Sequence, residues 1–507
     1  MLPRSSIITQ VFLLTGVDLL LRGISMAFQI YLSSKIGAAG LGLLQLIVTV
    51  GALGSTLGLS GVRTAALYLC AEEHGRRRPG GVRRAMELCL LWGVVCSLAA
   101  AAALFFLSDT LAEVWLRDAR AASGLRILAL SLPLNCLVCV LGSYFTACGK
   151  LRRLVSAEIA AQLVSIAFTV FFLTRIGGSV EGSCRAVLLG SLAATILSAC
   201  WLLLLLQRDF RAYGPTASGL GLGGRLVRLC VPLAFGDYLR SGLRTLEQLL
   251  IPIGLSRAVG SSEAAMAAYG TIHAMVFPIL MFPAAILYSL SDLLVPELAR
   301  CNAAGRTERI RGLCERCLRL TVLFACAVSA LQLLLAEPLG LLFYKSREAG
   351  RYLRLFAPMV LILYPDAIVD AMCKGLGKQV PCVRNNTLTS ILDVALLYFL
   401  LPRLGLNGYL FTFAATHTVN FFLSLKLLMD ASGCGAQPRF LLKAALSLLL
   451  ASAAVLALPQ ALGGLPRILC AAAVFLLLYL PALYLTDALT PEDRRWLRRK
   501  LRAGQGH

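Results

Sequence analysis

The 507-residue chain is 58% hydrophobic and only 15% charged, with a mean hydropathy of +0.79. A soluble domain carries about 25% charged residues, so these values exclude a water-soluble globular protein. A net charge of +22 does not mark a nucleic-acid binder here, because the basic residues gather in short loops between apolar runs, the signature of orientation in a membrane.

Apolar windows of about twenty residues, each long enough to cross a bilayer, recur from end to end. They predict an all-α polytopic membrane protein with fourteen transmembrane helices. The first six spans fall at 8–32, 42–70, 84–107, 122–148, 154–175 and 184–206. The first holds Asp18 and Arg22 and lacks a small-residue cleavage motif, so it reads as a span and not as a leader. The second holds Gly58-Leu-Ser-Gly61 and then Arg63; its small residues would let another helix or a ligand approach. Six more follow at 226–256, 265–291, 311–335, 350–374, 384–401 and 407–429, and two last ones at 440–459 and 466–486. Spans two and seven are long and contain Gly, Pro or Arg, which predicts a kink, a tilt or an extramembrane extension. From Thr490 a cap residue, Pro491, two acids and a run of Arg and Lys predict either a short basic helix on anionic lipid or a solvated tail that fixes topology. The basic loops alternate, among them Arg76 to Arg78, Lys150 to Arg153 and Lys374 to Lys378. That pattern places both termini in the cytoplasm.

The chain also echoes itself at an offset of 228 residues, the distance from Lys150 to Lys378. Gly149-Lys150 follows span four as Gly377-Lys378 follows span ten; Arg175-Ile-Gly177 follows span five as Arg403-Leu-Gly405 follows span eleven. Six spans bring the second copy back to the same side, so the repeats are parallel. The expected architecture is two six-helix lobes around a central cavity plus two C-terminal helices. The divisions are 1–210, 211–430, 431–487 for spans thirteen and fourteen, and 488–507 for the basic tail. Such repeats suit a transporter that rocks one bundle against the other.

Charge inside the spans points to the site. Asp237, Arg240, Arg244 and Glu247 are spaced three, four and three apart, on one face of span seven. Asp237–Arg240 and Arg244–Glu247 pairs would partly neutralise that face. The remaining guanidinium capacity suits anionic oxygens. Asp18 and Arg22 are one turn apart in span one. Arg22, Arg240, Arg244 and Arg63 are therefore candidate substrate-binding residues, with Asp18, Asp237 and Glu247 as charge partners or ion-coupling groups. Salt-bridge locks between bundles are the competing role, and Arg63, near the end of its span, can also snorkel. Asp366 and Asp370 share a face and could relay a proton or sodium ion, but helix-end caps or structural pairs fit most of these acids, Asp393 among them, better. His273 reads as a hydrogen-bonded wall residue. Most of the 17 cysteines, such as Cys89, Cys230 and Cys326, are small hydrophobes within apolar runs. Cys314-Glu-Arg-Cys317 lacks the second pair that a zinc site needs, and no Walker motif occurs. No metal and no cofactor is expected, and no catalytic constellation marks an enzyme.

The stretch from Arg22 to Leu44, with Arg-Gly-Ile-Ser and then Ile36-Gly-Ala-Ala-Gly40-Leu-Gly42, resembles the opening of one known group. This is the polysaccharide-export and flippase branch of the multidrug/oligosaccharidyl-lipid/polysaccharide (MOP) exporter superfamily, of the stage V sporulation protein B and lipid II flippase type. The fourteen spans, the parallel repeat and the two Gly-Lys turns are similar as well, and the resemblance covers essentially the whole chain. It implies a two-lobed inner-membrane flippase that moves undecaprenyl-pyrophosphate-linked saccharide, lipid II or a related envelope precursor, by alternating access, for peptidoglycan or spore cortex. It further implies cavity-lining arginines, which Arg22, Arg240 and Arg244 match and Arg63 matches less well. The last two spans would form a groove for the lipid tail. Membrane lipids and cell-wall synthesis proteins are the implied partners, and the monomer is the implied working unit. The drug-exporting branch relies instead on buried acids, so Asp18, Asp237 and Glu247 keep a cation-coupled multidrug exporter open, and a non-transporting scaffold in envelope assembly is a third reading.

Overall fold

The computed structural model describes residues 4–213, 221–435, 438–457 and 464–489, and all regular structure among them is helical. The chain divides into two compact units, Met1–Gly270 and Thr271–His507. The basic tail from Thr490 and the Asp18 side chain lie outside the described residues.

The first unit contains α1 (Arg4–Leu59), α2 (Val62–Gly75), α3 (Pro79–Phe106), the short α4 (Ser108–Thr110), α5 (Ala121–Ala147), α6 (Leu151–Ile176), α7 (Val180–Tyr213), α8 (Leu222–Val259) and α9 (Ser262–Gly270). Spans one and two are two helices, labelled together as α1, that meet at a non-helical kink at Gly37 (φ 76°, ψ 173°), inside the connection that the sequence predicts. Span two then kinks at Ser60 (φ 43°) and Gly61 (φ 73°), so that Arg63 begins a separate helix. Glycine is required at position 61 twice over. Its backbone is left-handed, and an added Cβ would lie 2.7 Å from the carbonyl oxygen of Cys230 on α8. Helix α8 is thus what approaches the small residues of span two. Helices α1 and α9 meet the same way: a Cβ on Gly270 would stand 2.0 Å from the Ala38 carbonyl and 2.6 Å from the Gly42 nitrogen. In a bilayer, helices associate through such small-residue packing more than through hydrophobic burial. Val62, Met86, Tyr144, Phe145, Leu202 and Leu226 form one buried core that joins α2, α3, α5, α7 and α8.

The second unit opens with a π-helical turn, Thr271–Val276, followed by α10 (Phe277–Met281), α11 (Ala285–Ala303), α12 (Thr307–Leu334), α13 (Ala336–Tyr344), α14 (Arg347–Phe356), α15 (Val360–Gly375), α16 (Gln379–Leu404), α17 (Leu406–Ser432), α18 (Pro438–Leu456) and α19 (Gly464–Leu485). Span eight is therefore not one helix but a broken one, interrupted at 282–284. Helices α18 and α19 pack on α12 through Ala451, Phe475 and Leu323, and the Tyr479 hydroxyl donates to the Leu323 carbonyl at 2.9 Å.

The repeat is written in the backbone. The left-handed positions Arg77, Arg117 and Gly149 recur 228 residues on as Gly305, Lys345 and Gly377. After α5, the amides of Cys148 and Lys150 donate to Tyr144 and Phe145; after α15, those of Leu376 and Lys378 donate to Met372 and Cys373. This is the Schellman pattern of a helix C-terminus, repeated residue for residue. Helices α3 and α12 are both 28 residues long, and α6 and α16 are both 26. The contact boundary falls later than the repeat boundary, because α8 and α9 of the second copy pack on α1 in the first unit.

Ten helices among the described residues are long and apolar enough to cross a membrane, which makes the chain a polytopic membrane protein. Helix α8, with its four central charges, is not one of the ten.

Candidate functional site

All four candidate arginines belong to the first unit, and all four are exposed: Arg22 on α1, Arg63 on α2, Arg240 and Arg244 on α8. Helix α8 is flanked by Gly221 and Gly260, both left-handed, and Pro232 and Pro252 do not end it. Its continuity keeps Asp237, Arg240, Arg244 and Glu247 on one face. The Asp237–Arg240 pair forms at 2.6 Å, with both side chains about half exposed (43% and 53%). The expected Arg244–Glu247 pair does not form, and Arg244 has no ion-pair partner among the described residues. At three residues' separation, both side chains must lean toward each other to meet; the half-buried Glu247 instead lies near Tyr269 of α9. Tyr238 of α8 hydrogen-bonds the Ser60 hydroxyl and donates to the Leu57 carbonyl at 3.2 Å. That clasp ties the turn of α8 bearing Asp237 and Arg240 to the kink that starts the helix of Arg63. Sequence reasoning missed Tyr238. Its signal was a polar-tipped residue between two charges in an apolar run.

Below this face the first unit is locked by ion pairs. Glu72 bonds Arg225 and, at 2.6 Å, Arg76, which ties the α2–α3 turn to α8. Asp209, at the end of α7, accepts from Lys150 at 2.7 Å, Arg153 at 2.9 Å and Tyr144 at 3.1 Å. Burial alone would raise the Asp209 carboxyl, but the hydrogen bonds and charges of Lys150 and Arg153 outweigh it and hold the group below the ordinary carboxylate range.

The second unit carries a different constellation. Asp366 on α15 accepts from the Asn420 amide of α17 at 3.1 and 3.3 Å, and the Asn420 carbonyl oxygen accepts from Thr389 of α16 at 3.1 Å. Asp393 accepts from Thr416 at 2.7 Å. Asp370 pairs with Lys374 at 2.6 Å, the structural pairing expected for a helix end. His273 meets the Tyr409 hydroxyl at 3.2 Å and packs against Phe277, which makes it a wall residue. Asn420, Thr389 and Thr416 were not singled out from the sequence. Polar residues at four-residue spacing, Asn385-Thr389-Asp393 and Thr416-Asn420, were the available signal.

A polytopic helical protein with an internal repeat and charged helices has the outline of a membrane transporter. The comparisons agree: residues 14–171 and 245–399 match the MatE family, and the chain belongs to it, within the MOP exporter superfamily. It is a transporter and not an enzyme. The chain is 21% identical over 421 residues to stage V sporulation protein B of Bacillus subtilis (strain 168), covering 80% of each. It is 21% identical over 325 residues to sporulation protein YkvU of the same organism, covering 61% of this chain and 72% of that one. Among solved structures, the fold is similar to the lipid II flippase MurJ in an inward closed conformation, with a TM-score of 0.68, 12% identity and coverage of 93% and 98%. An inward-facing multidrug resistance MATE transporter is also similar, with a TM-score of 0.63, 15% identity and coverage of 82% and 96%.

Proposed function

We propose that the chain is a flippase that moves an undecaprenyl-pyrophosphate-linked saccharide across the bacterial cytoplasmic membrane by alternating access, in spore or cell-wall envelope assembly. In this reading the polypeptide crosses the membrane fourteen times with both termini in the cytoplasm. The lobes are the repeats 1–210 and 211–430, and 431–487 supplies the surface for the prenyl tail. The observation that carries the proposal is the set of exposed arginines on helices of the first unit, with Arg244 unpaired among the described residues. A pyrophosphate cannot cross hydrocarbon alone, since desolvation of its charge is too costly. Guanidinium groups replace its hydration shell, each charge-assisted hydrogen bond contributing about 1.5–3 kcal/mol. Asp237 and Glu247 keep the empty face from accumulating unbalanced positive charge. The sporulation proteins and the lipid II flippase among the similar proteins support this substrate class.

A second reading, cation-coupled export of small molecules, rests on the Asp366–Asn420–Thr389 network. The two are separated by transport in proteoliposomes. The flippase reading predicts translocation of undecaprenyl-pyrophosphate-linked saccharide and no export of lipophilic cations. Export of the cations without movement of the lipid-linked saccharide would overturn it.

A further inference from the structure

The CxxC motif at the start of α12 is absorbed neither by packing alone nor by transport. Cys314, its first cysteine, is fully buried, and Cys434, which follows α17 in the stretch leading to α18, lies against the turn of α12 just before Cys314. Cys434 also accepts from the Ser432 hydroxyl at 2.9 Å, and its thiol faces the Arg311 carbonyl at 3.7 Å. Glycines 433 and 435 on either side are exposed, so the sulfur of Cys434 lies just beneath the surface. The charged groups near it are Arg311 and Glu315 of α12. The S–H of Cys314 holds the Cys434 thiol below its ordinary range, against the effect of burial, which favours a thiolate at that sulfur. The fold itself does not call for thiols here. At the same 228-residue offset, the first repeat has Met86 and Leu206, two members of its buried apolar core.

We propose that Cys314 and Cys434 are a redox-active dithiol that peroxide converts to a disulfide, stapling α12 to the α17–α18 connection. The Cys434 thiolate attacks one peroxide oxygen; the S–O bond forms, the O–O bond breaks, and the departing hydroxide takes a proton to become water. The Cys314 sulfur then attacks the sulfenic sulfur of Cys434. The S–S bond forms, the S–O bond breaks, and the leaving hydroxide takes the Cys314 proton, so two thiols and one peroxide become a disulfide and two waters. Because α18 and α19 pack on α12, the bond would fix the last two helices to the end of the second unit.

The experiment treats the purified full-length protein in nanodiscs with hydrogen peroxide, alkylates free thiols and maps peptides by mass spectrometry. The expected result is a Cys314–Cys434 cross-linked peptide as the dominant disulfide, reversed by dithiothreitol. Cys314→Met should abolish it and leave Cys434 as a sulfenic acid that dimedone traps. Cys434→Leu should abolish both products. Both substitutions install the residue that the first repeat tolerates, and size-exclusion profiles check their folding. Free, alkylatable Cys434 after peroxide would overturn the proposal. So would a Cys434 disulfide to Cys317 that persists in Cys314→Met, or peroxide oxidation spread evenly over the 17 cysteines. None of these readouts depends on which substrate the protein moves.

Discussion

In the first unit the candidate arginines Arg22, Arg63, Arg240 and Arg244 are exposed, and on the α8 face Asp237 and Arg240 pair at 2.6 Å while Arg244 has no ion-pair partner among the described residues. In the second unit the corresponding charges are half-buried carboxylates already engaged, Asp366 by Asn420 and Asp393 by Thr416. The difference is one of availability. An exposed guanidinium with no ion-pair partner among the described residues, as at Arg244, has donors available to a ligand. A carboxylate satisfied by an amide and a hydroxyl contributes instead to the internal order of its helix group, and removing a partner leaves a polar group stranded. The account therefore assigns ligand binding to the first unit and helix cohesion to the Asp366 and Asp393 networks of the second.

The largest effect should come from the open charges. Arg240→Ala combined with Arg244→Ala should slow transport about 100-fold, from the loss of about two charge-assisted hydrogen bonds, while the melting temperature stays unchanged. A drop in stability with transport per folded molecule intact would erase the contrast between the units. In the second unit the reverse is expected. Asn420→Leu should lower thermal stability in detergent by about 1–3 kcal/mol, because it strands the Asp366 carboxylate, while Thr389 keeps its bond to the Asn385 carbonyl. Stability equal to wild type would show that this network is not structural.

A smaller effect separates locks from ligand sites within the first unit. The folded-state pKa of Asp209 is depressed, so its stabilisation is present at neutral pH and is lost as pH falls through that depressed value. Asp209→Asn should remove about 1 kcal/mol at pH 7 and flatten the acid limb of a stability–pH profile. The least effect concerns the turns. Gly149→Ala and Gly377→Ala should each cost about 1 kcal/mol, since each glycine is left-handed, and Arg77→Gly, the residue of the second repeat, should gain about as much. Unequal costs at Gly149 and Gly377 would show that the two turns are not equivalent.

The all-helical fold and the repeat were legible because apolar run length and loop glycines are local properties. The Gly-Lys turns at 149 and 377 have the same hydrogen bonds that their sequence echo implies. The break of span eight and the packing of α8 onto Gly61 were not legible. Each depends on which helix comes near which, and hydropathy does not encode that. At the site, spacing correctly put Asp237 and Arg240 within reach, but it equally promised Arg244–Glu247. A shared face permits a pair and does not compel it. Tyr238 and Asn420 escaped notice because their importance lies in partners 178 and 54 residues away.

The central claim is that the open arginines of the first unit bind the pyrophosphate of the cargo. The most direct test is translocation of a fluorescent undecaprenyl-pyrophosphate-linked saccharide in proteoliposomes by the variant with alanine at positions 22, 240 and 244, matched to wild type in expression and melting temperature. The account predicts that translocation falls to the protein-free background. Translocation at the wild-type rate would contradict it.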